Sequence, residues 1–471
     1  MPELPEVETV RRILLPILKN RVIESVDVLY PKMILESKYD FTTSLKNAKF
    51  LDVKRKGKYL LFYLDNNLVL ISHLRMEGKY IVLSENETKT SHARVIFHLD
   101  HNFNISYDDT RCFGIMKLIS SSDVEKEEML AKLGPEPFDI KDYDSLLQKF
   151  SRITNPIKTA IMDQTIIAGL GNIYADEVLF LSKINPLTPA KKITKNQVEQ
   201  IISNAVIVLN KAIELGGSTV KSYHAAKGVD GKFQNELLAY GKKDKKCPIC
   251  DYQFKKIFVN GRGTTYCPRC QKLEFDTKVV AIVGKIASGK STALNAVKAL
   301  GYNVISSDEI VHNLYTLDSV KQTIARNFKN CLTNGEVDKS LLKEIVNENE
   351  KKKYKLESII HPLVEHVLLE NLSQSKTPLT FIEVPLLFEA NLDYLADYII
   401  GIDVSEEKQI ENLKKRGVDD LTSYLKLNAS TKFDANKSKM DFITSKDINV
   451  TYLEKEIMSF VSQIKEKEGI N

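Results

Sequence analysis

Four of the six cysteines lie within 24 residues and form two pairs of equal spacing, Cys247 with Cys250 and Cys267 with Cys270. Two residues between thiolates allow one tight turn to present both sulfurs to a single ion, and two such turns complete a tetrahedral zinc site. Disulfides or an iron–sulfur centre are the competing interpretations, but the spacing and a reducing compartment favour zinc. Four thiolates leave no open position for a catalytic water, so the sequence predicts one structural Zn²⁺ per chain.

The segment around these cysteines is strongly basic. Its cationic residues are Lys242, Lys243, Lys245, Lys246, Arg262 and Arg269. Such a hairpin is suited to contact with a phosphate backbone. A solvated, lysine-rich surface explains the same charges about as well.

A glycine-rich loop at 284–291 reads GKIASGKS and matches the GxxxxGK[ST] pattern. It follows the apolar run VVAIV at 279–283 and leads into a helix, which is the context that the pattern requires. Amides of such a loop surround phosphates, its lysine reaches the β- and γ-phosphates, and its serine is a Mg²⁺ ligand. The predicted site for ATP and Mg²⁺ consists of Gly284, Lys285, Ile286, Ala287, Ser288, Gly289, Lys290, Ser291 and Thr292.

An ordered series of motifs begins with MPELPEVE at 1–8. It continues with KYL at 58–60, HLRMEG at 73–78, DTRCFG at 109–114, GPEP at 134–137 and GLGNIY at 169–174, and it ends in the four-cysteine segment. In this order the motifs resemble formamidopyrimidine-DNA glycosylases, which remove oxidised purines such as 8-oxoguanine. The resemblance covers residues 1–272. Leu4 favours this branch, because the related endonuclease VIII group typically has glycine there.

The resemblance implies covalent chemistry at the N-terminus. Once Met1 is removed, Pro2 presents a secondary α-amine, and an α-amino group is less basic than lysine and therefore more often nucleophilic at neutral pH. By resemblance, Glu3 donates a proton during base loss, Lys58 assists β-elimination, Arg262 assists δ-elimination, and Glu6 supports the same pocket. Without the other motifs, Pro2 and Glu3 would be interpreted as the lead-in to a helix.

The resemblance also implies a surface for damaged double-stranded DNA. The family fills the space left by the extruded base with side chains that correspond to Met76, Arg111 and Phe113. Its phosphate-contacting positions correspond to His92, Arg152, Lys158 and Asn172. Residues 216–240 correspond to the loop that closes over the base, and Cys112 departs from the arginine expected at its position. In isolation, Met76 and Phe113 would more often be core residues.

The part that begins at the glycine-rich loop resembles dephospho-CoA kinase over residues 278–460, through SDEI at 307–310, IHPLV at 360–364 and VPLLFE at 384–389. That family phosphorylates the 3′-hydroxyl of dephospho-CoA. The resemblance implies Asp308 as the base or Mg²⁺-orienting carboxylate and Arg416 as a lid arginine on the transferred phosphate. It implies His361 and Pro385 as acceptor-binding residues. A helix cap is the alternative for His361, but the His-Pro pair in register with the other motifs favours acceptor binding.

Several positions depart from that kinase pattern. Ser306-Ser307-Asp308 stands where the family often has Asp-Ala-Asp, Asn412 and Asn428 stand where Arg and Gln are common, and Gly417 replaces an Asp. A slow or repurposed kinase, another P-loop kinase and an ATP-binding regulatory domain therefore stay open. For the first part, the alternative is a DNA-binding module without catalysis, against which Pro2, Glu3 and Lys58 argue.

The elements that must position these residues change along the chain. The pattern predicts a helix at 5–20, a β-sandwich or barrel over 22–119, and helices from 143 to about 215. After 278, strands and helices alternate as in a parallel α/β sheet. The predicted domains are a β-sandwich catalytic domain at 1–135, a helix–two-turn–helix DNA-binding domain at 136–240, a zinc hairpin at 241–276 and an α/β P-loop kinase domain at 277–471.

Composition indicates a multidomain globular chain, with 471 residues of which 43% are hydrophobic and 27% charged. Residues 1–276 carry 41 Lys and Arg against 34 Asp and Glu, and the rest carry 26 against 28. This asymmetry is compatible with nucleic-acid binding but does not decide it. No segment approaches the roughly 20 apolar residues that span a bilayer, and because the first residues show no basic-then-apolar pattern, we expect no signal segment. We expect a cytoplasmic monomer whose partners are DNA, ATP and dephospho-CoA, with no membrane partner.

Overall fold

The computed structural model describes residues 1–83, 90–218, 231–347, 349–415, 417, 432–447 and 449–470. The chain divides into two compact units, Met1–Leu273 and Glu274–Asn471. Each unit contains hydrophobic clusters of its own.

Helix α1 (Leu4–Leu18) opens the first unit. Pro5 lies in its first turn, where a missing N–H leaves no hydrogen bond unmade, and the Glu6 carboxylate accepts the Glu3 N–H at 2.8 Å. Val7, Val10 and Leu14 pack into the core of the sandwich that follows. The predicted helix is confirmed within two residues at each end.

Eight strands form two four-stranded antiparallel sheets that share this core. The strands are β1 (Ile23–Val28), β2 (Phe50–Lys56), β3 (Tyr59–Leu64), β4 (Leu68–His73), β5 (Lys79–Leu83), β6 (Ala93–Leu99), β7 (Phe103–Asp108) and β8 (Ile115–Ser120). One sheet has the order β1-β6-β7-β5 and the other β2-β3-β4-β8. Two short helices, α2 (Phe41–Leu45) and α3 (Glu128–Ala131), lie between or after the strands. Of the two predicted alternatives, the structure has the sandwich.

Two connections cross between these sheets at the same end of the sandwich. Residues 74–78 join β4 to β5, and residues 109–114 join β7 to β8. Because β4 pairs with β8 and β5 pairs with β7, the two connections lie side by side. The first carries Met76, and the second carries Arg111 and Phe113.

A helical segment with its own core follows. Its helices are α4 (Tyr143–Phe150), α5 (Ile157–Met162), α6 (Asn172–Leu181) and α7 (Lys195–Glu214). The turn before α6 contacts the N-terminus of the chain, because the Leu4 N–H donates to the Gly169 carbonyl at 3.1 Å. Gly169 has φ +98°, and a Cβ there would lie 2.4 Å from Leu4 Cδ1, so glycine alone permits this close approach.

The last part of the unit is a two-stranded hairpin of β9 (Lys255–Val259) and β10 (Arg262–Tyr266). Asn260 and Gly261, both with positive φ, form its two-residue turn. An Asn-Gly pair favours a type I′ turn, whose twist matches that of the strands. This turn places Arg262 at the start of β10.

The second unit is built on a five-stranded parallel sheet of order β12-β15-β11-β16-β17. The strands of this unit are β11 (Lys278–Gly284), β12 (Asn303–Ser306), β13 (Leu332–Thr333), β14 (Glu336–Val337), β15 (Leu379–Glu383), β16 (Tyr398–Ile402) and β17 (Phe442–Ile443). Strands β13 and β14 form a small hairpin that is separate from the five-stranded sheet. Its helices are α8 (Lys290–Ala299), α9 (Ser307–Leu314), α10 (Asp318–Asn327), α11 (Lys339–Asn347), α12 (Glu350–Gln374), α13 (Glu406–Lys415) and α14 (Val450–Glu468). The predicted parallel α/β architecture is confirmed.

Among the residues that the structure describes, no helix is both long and apolar enough to cross a membrane.

Candidate functional site

The Glu3 side chain is buried against the start of helix α6. Its Oε1 accepts the Ile173 N–H at 2.9 Å and its Oε2 the Tyr174 N–H at 3.4 Å. These amides belong to the first turn, whose N–H groups have no partner within the helix. Gly171 allows the approach, since a Cβ there would lie 2.4 Å from the Glu3 carboxyl carbon. One short segment, residues 171–174, which is far from Glu3 in sequence, thus fixes its carboxyl group.

Glu6 connects the N-terminus to the segment that leads into the predicted closing loop. Its Oε1 accepts the Tyr174 hydroxyl at 2.6 Å and the Ser218 N–H at 2.7 Å. Gly217 lies against it with φ +80°. Glu6 therefore supports the pocket through contacts within the protein. Of residues 216–240, the structure describes 216–218 and 231–240, and 219–230 lie outside the described residues.

Lys58 lies in the two-residue turn between β2 and β3. Its Nζ donates to the Leu170 carbonyl at 2.7 Å, and its side chain is buried. Glu136 braces the turn by accepting the Gly57 N–H at 2.8 Å while forming a two-bond pair with Arg55. Two parallel hydrogen bonds between a guanidinium and a carboxylate fix the orientation of both groups as well as the distance between them.

Glu3 and Lys58 line the same cavity, whose volume is about 480 Å³. Its other lining residues include Met1, His73, Met76, Asn172, Tyr240 and Arg262. Pro2 lies between two of the lining residues in sequence. The cavity is of a size that accepts a small ligand or a single nucleotide base.

Burial shifts the pKa values of the two ionisable groups in opposite directions. Burial raises the pKa of Glu3, an effect that the Lys58 charge opposes. Burial lowers the pKa of Lys58, and the carboxylates of Glu3 and Glu6 oppose that change. Burial likewise lowers the pKa of His73 to about 3, so its neutral Nδ1 accepts the Arg75 N–H at 2.9 Å. Shifts in these directions favour the protonated carboxyl group and the neutral amine, which are the forms suited to acid and base roles.

The predicted wedge residues lie near this cavity to different degrees. Met76 lines it and is half-buried. Phe113 is 52% exposed, and the Arg111 guanidinium lies 4.8 Å from the centre of its ring. Buried Asp109 orders their loop by accepting the Arg111 N–H at 2.9 Å and the Gly114 N–H at 2.7 Å. Cys112 in the same loop has φ +57°, a conformation that is costly for a side-chain-bearing residue.

The four predicted phosphate-contacting residues have different environments. His92 and Arg152 are exposed. Asn172 lines the cavity and donates to the Gly263 carbonyl at 3.1 Å. Lys158 differs from a surface phosphate ligand, because it is 1% exposed and its Nζ donates to Asp176 at 2.6 Å and Thr264 at 2.8 Å. In this position it joins α5, α6 and the hairpin.

The four paired cysteines meet at one point. Their sulfur atoms lie within 4.8 Å of one another, and all four are free thiols. The Ile249 N–H points to Cys247 Sγ and the Cys270 N–H to Cys267 Sγ, each at 3.4 Å, as in thiolate turns that hold a metal. The set fits a structural Zn²⁺, and Phe180 and Phe254 pack beside it.

The glycine-rich loop of the second unit has the backbone form of a phosphate cradle. Ala287 and Gly289 have φ of +59° and +102°, and Gly284 leaves no room for a side chain, since a Cβ there would lie 2.4 Å from Ser288 Oγ. Lys290 Nζ folds over the loop and donates to the carbonyls of Gly284 at 3.0 Å and Lys285 at 2.9 Å. This geometry fits a bound nucleoside triphosphate.

Carboxylates lie beside this loop at the ends of neighbouring strands. Glu383 ends β15, is largely buried and accepts the Ser306 hydroxyl at 3.3 Å. Burial raises its pKa, and the Lys290 charge opposes the rise. Asp308 is exposed at the start of α9 and close enough to raise the Glu383 pKa further. Oxygen donors of this kind are the ligands that Mg²⁺ prefers.

The remaining kinase residues are only partly described. Pro385 follows β15 and is half-buried. His361 lies inside α12, so its interpretation as a helix cap is wrong. Asn412 of α13 donates to the Ala287 carbonyl at 2.9 Å and therefore contacts the glycine-rich loop. Arg416 and Asn428 lie outside the described residues.

Family models match the chain in the same order as its motifs. The formamidopyrimidine-DNA glycosylase N-terminal domain matches residues 1–116, the corresponding H2TH domain 133–224, and the zinc finger found in FPG and IleRS 244–273. Dephospho-CoA kinase matches residues 278–443.

Known proteins match the whole first unit. The formamidopyrimidine-DNA glycosylase of Lactobacillus helveticus is 42% identical over 273 residues, which are 58% of this chain and 99% of that protein. That of Shouchella clausii is 44% identical over 274 residues, which are again 58% of this chain and 99% of that protein. The chain belongs to the formamidopyrimidine-DNA glycosylase family.

A solved structure supports the same assignment. A crystal structure of a Lactococcus lactis FPG variant in complex with Fapy-dG containing DNA is 39% identical, has a TM-score of 0.55, and covers 58% of this chain and 100% of its own. The glycosylase relatives therefore correspond to the first unit, and the second unit adds a domain of the dephospho-CoA kinase family. The chain is an enzyme with a DNA glycosylase part and a kinase part.

Three acidic residues contribute to these sites without having been predicted from the sequence. Glu136 holds the Lys58 turn, and Glu383 lies beside the phosphate-binding loop. Glu177 accepts the N–H groups of residues 238–240 at 2.7 to 2.9 Å and thereby places Tyr240 at the cavity. For Glu177 and Glu383 the sequence signal is an acid within or at the end of an apolar run, as in NIYADEVLF and TFIEV, because buried carboxylates need partners.

Replacing Cys267 by Ser is expected to remove the zinc and to weaken binding of lesion-containing duplex DNA at least about tenfold, since the hairpin cannot fold without its metal. Metal content and DNA affinity should fall together, while ATP turnover by the second unit is retained. Cys331→Ser is the matched control, because that buried thiol belongs to the second unit and not to the cluster. Unchanged DNA affinity in a zinc-free variant would contradict a role of the hairpin in DNA binding.

Proposed function

We propose that the first unit excises oxidised purines, 8-oxoguanine and formamidopyrimidines, and then cleaves the DNA strand through an imine on Pro2. The observation that carries the proposal is the cavity in which Glu3 and Lys58 lie together beside the N-terminus. The Lactococcus lactis relative bound to Fapy-dG containing DNA supports the substrate class. We also propose the domain boundaries given above, and a cytoplasmic, monomeric enzyme.

In the first step, the Pro2 amine, freed by removal of Met1, forms a bond to sugar C1′ as the C1′–N bond to the base breaks. Glu3 supplies the proton that accompanies base loss, and burial, which raises its pKa, favours the protonated form. The amine nitrogen loses its proton, the C1′–O4′ bond of the sugar ring breaks and O4′ takes up a proton, which leaves a positively charged imine between Pro2 and C1′. The ordinary pKa of an N-terminal amine is lower than that of a lysine. The Pro2 amine therefore depends less on a general base to become neutral than a lysine would.

In the second step, the imine acidifies the proton on C2′, and loss of that proton expels the 3′-phosphate. Lys58, whose pKa burial lowers, assists this β-elimination. Arg262, which lines the same cavity, assists the δ-elimination that expels the 5′-phosphate. Hydrolysis of the imine then returns the Pro2 amine.

Access of the sugar to Pro2 requires that the lesion leave the base stack. Met76, Arg111 and Phe113 fill the vacated space, with Arg111 able to bond the orphaned partner base. His92, Arg152, Lys158 and Asn172 are the proposed phosphate-contacting group. For Lys158 this contact is indirect in the conformation described, since its donors bond within the protein.

Borohydride trapping tests this proposal. The intact protein should become covalently linked to duplex DNA that contains 8-oxoguanine, and Pro2→Gly should abolish the linkage while duplex binding persists. Linkage that survives in Pro2→Gly at the wild-type rate would refute Pro2 as the nucleophile. Binding without any linkage in the wild-type protein would favour the non-catalytic DNA-binding module.

We propose that the second unit transfers the γ-phosphate of ATP to the 3′-hydroxyl of dephospho-CoA. The glycine-rich loop and Lys290 hold the triphosphate, Asp308 accepts the hydroxyl proton, and His361 and Pro385 contact the acceptor. Mg²⁺ held by Ser291 together with Glu383 or Asp308 would neutralise the phosphate charge. Glu383 supplies a carboxylate near Ser306, where the kinase family often has an acid. Another small-molecule acceptor, or ATP binding without transfer, are the alternatives.

A further inference from the structure

The two connections between the sheets carry all three proposed wedge residues. We refer to residues 74–78 and 109–114 as the wedge loops. Both begin at the end of a strand in one sheet and end at the start of a strand in the other. A wedge that enters DNA must keep its side chains at fixed separations, because a shift of about 1 Å is enough to lower the rate of an enzymatic step greatly.

A single buried side chain lies under the ends of both wedge loops. Tyr107 of β7 is 0% exposed. A Cβ built on Gly78, which ends the first loop, would lie 2.0 Å from the Tyr107 hydroxyl oxygen. A Cβ built on Gly114, which ends the second loop, would lie 1.9 Å from the same atom. The hydroxyl therefore occupies the space that a side chain at either glycine would need.

The Tyr107 ring is itself held from the core side. Tyr80 of β5 pairs with Tyr107 across the two strands, and their ring centres are 5.1 Å apart in an edge-to-face arrangement. The Tyr80 hydroxyl donates to Ser72 Oγ at 2.8 Å in β4. An anchored ring of this kind transmits a fixed position to whatever contacts its hydroxyl.

The rest of each loop adds to this arrangement. The Gly78 N–H donates to the Leu74 carbonyl at 3.0 Å, which closes the first loop on itself. The Gly114 N–H donates to the Asp109 carboxylate at 2.7 Å, which closes the second. Each loop is thus internally closed, and the contact that they share is the Tyr107 hydroxyl.

We propose that Tyr107 is a positioning residue that orders the two wedge loops as one unit, so that Met76 enters the DNA together with Arg111 and Phe113. This inference rests on the proposed glycosylase function. It concerns the step in which the lesion is extruded from the base stack. The proposed chemistry at Pro2 is not altered by it. Glycine is required at positions 78 and 114 for the same steric reason.

Three variants of the full-length protein test this proposal with duplex DNA that contains 8-oxoguanine. Tyr107→Phe removes the hydroxyl and keeps the ring, and it should lower the single-turnover excision rate about fivefold to tenfold, as expected from loosening one buried contact. Gly114→Ala should lower it more. Combining Gly114→Ala with Tyr107→Phe should recover part of the Gly114→Ala loss, because the nearest clash, at 1.9 Å, is with the removed oxygen.

Two further readouts separate positioning from a general loss of stability. Fluorescence of 2-aminopurine placed next to the lesion should report slower base extrusion in Tyr107→Phe. Strand cleavage of a single-stranded oligonucleotide with a pre-formed abasic site, which needs no extrusion, should stay at the wild-type rate. Tyr80→Phe is the comparison variant: it keeps both rings and the Tyr107 hydroxyl and removes only the bond to Ser72, so it should lower the excision rate less than Tyr107→Phe does.

The outcomes distinguish this inference from the proposed function. Wild-type protein that neither excises nor cleaves would overturn the proposed function itself. If the wild-type protein excises normally, either of two results would overturn the role of Tyr107. One is an equal rate of base extrusion in Tyr107→Phe and wild type, and the other is no recovery of excision in the double variant. Equal losses in Tyr80→Phe and Tyr107→Phe would show a general packing effect and would also overturn it.

Discussion

Replacing Glu3 by Gln is expected to lower the rate of 8-oxoguanine excision by about 10²- to 10⁴-fold, the range that a positioned general acid contributes. Glutamine preserves the length of the side chain and an oxygen for the Ile173 N–H, but it has no acidic proton. Cleavage at a pre-formed abasic site requires no base loss, so this activity should persist. Single-turnover assays on a duplex with 8-oxoguanine and on a duplex with a pre-formed abasic site measure the two rates separately.

The pH dependence provides a second test of the same assignment. Glu3 acts as an acid only while protonated, and burial raises its pKa above the ordinary carboxyl value. Excision by the wild-type protein should therefore decline as the pH rises through this raised pKa. Cleavage at the abasic site depends instead on neutral Pro2 and Lys58 amines, and it should not decline over that interval.

Glu127→Gln is the matched control for this substitution. Glu127 pairs with Lys117 at 2.9 Å and does not line the cavity, so the exchange of carboxylate for amide should leave both activities near the wild-type level. Equal losses of excision and abasic-site cleavage in Glu3→Gln would contradict the acid role. Such a result would indicate that the Glu3 carboxylate mainly holds the start of α6.

Local patterns were sufficient to predict the fold and the metal and phosphate sites. The two CxxC pairs, the GKIASGKS loop and the period-2 and period-3.6 apolar patterns each depend on neighbours in sequence. The structure contains the four-cysteine cluster, the positive-φ backbone of a phosphate-binding loop and the two sheet architectures at these positions. Turn chemistry at Asn260-Gly261 belongs to the same group, because the two residues alone favour the hairpin.

Contacts between distant segments could not be predicted in this way. Glu136 reaches Gly57 across 79 residues, and Tyr107 fits between glycines that belong to different loops. Lys158 is a predicted phosphate-contacting residue, and in the structure Asp176, 18 residues later, pairs with it in the interior. Burial of a lysine requires such a partner, and only the folded helices show that the partner is within reach.

For the second unit, Lys290→Ala is expected to lower phosphorylation of dephospho-CoA by at least about 10²-fold, because an ammonium aimed at the transferred phosphate is lost. ATP turnover by the intact protein, with dephospho-CoA compared with nucleoside monophosphates, measures the effect. Lys278→Ala is the matched control, since that lysine lies at the other end of β11 and pairs with Glu468 at 2.9 Å. Its variant should keep the wild-type rate.

The acceptor panel decides among the three interpretations of the kinase part. Turnover confined to dephospho-CoA would support the proposed reaction, and turnover with a nucleoside monophosphate would identify another P-loop kinase. ATP binding without turnover on any acceptor would favour a regulatory domain.

Glu383→Gln then separates two reasons for low activity. If Glu383 provides the carboxylate that Ser306 does not, its loss should be about as severe as that of Asp308→Asn. If Glu383 only bonds Ser306, the variant should keep most of the activity, and the Ser306 departure would itself account for a slow kinase.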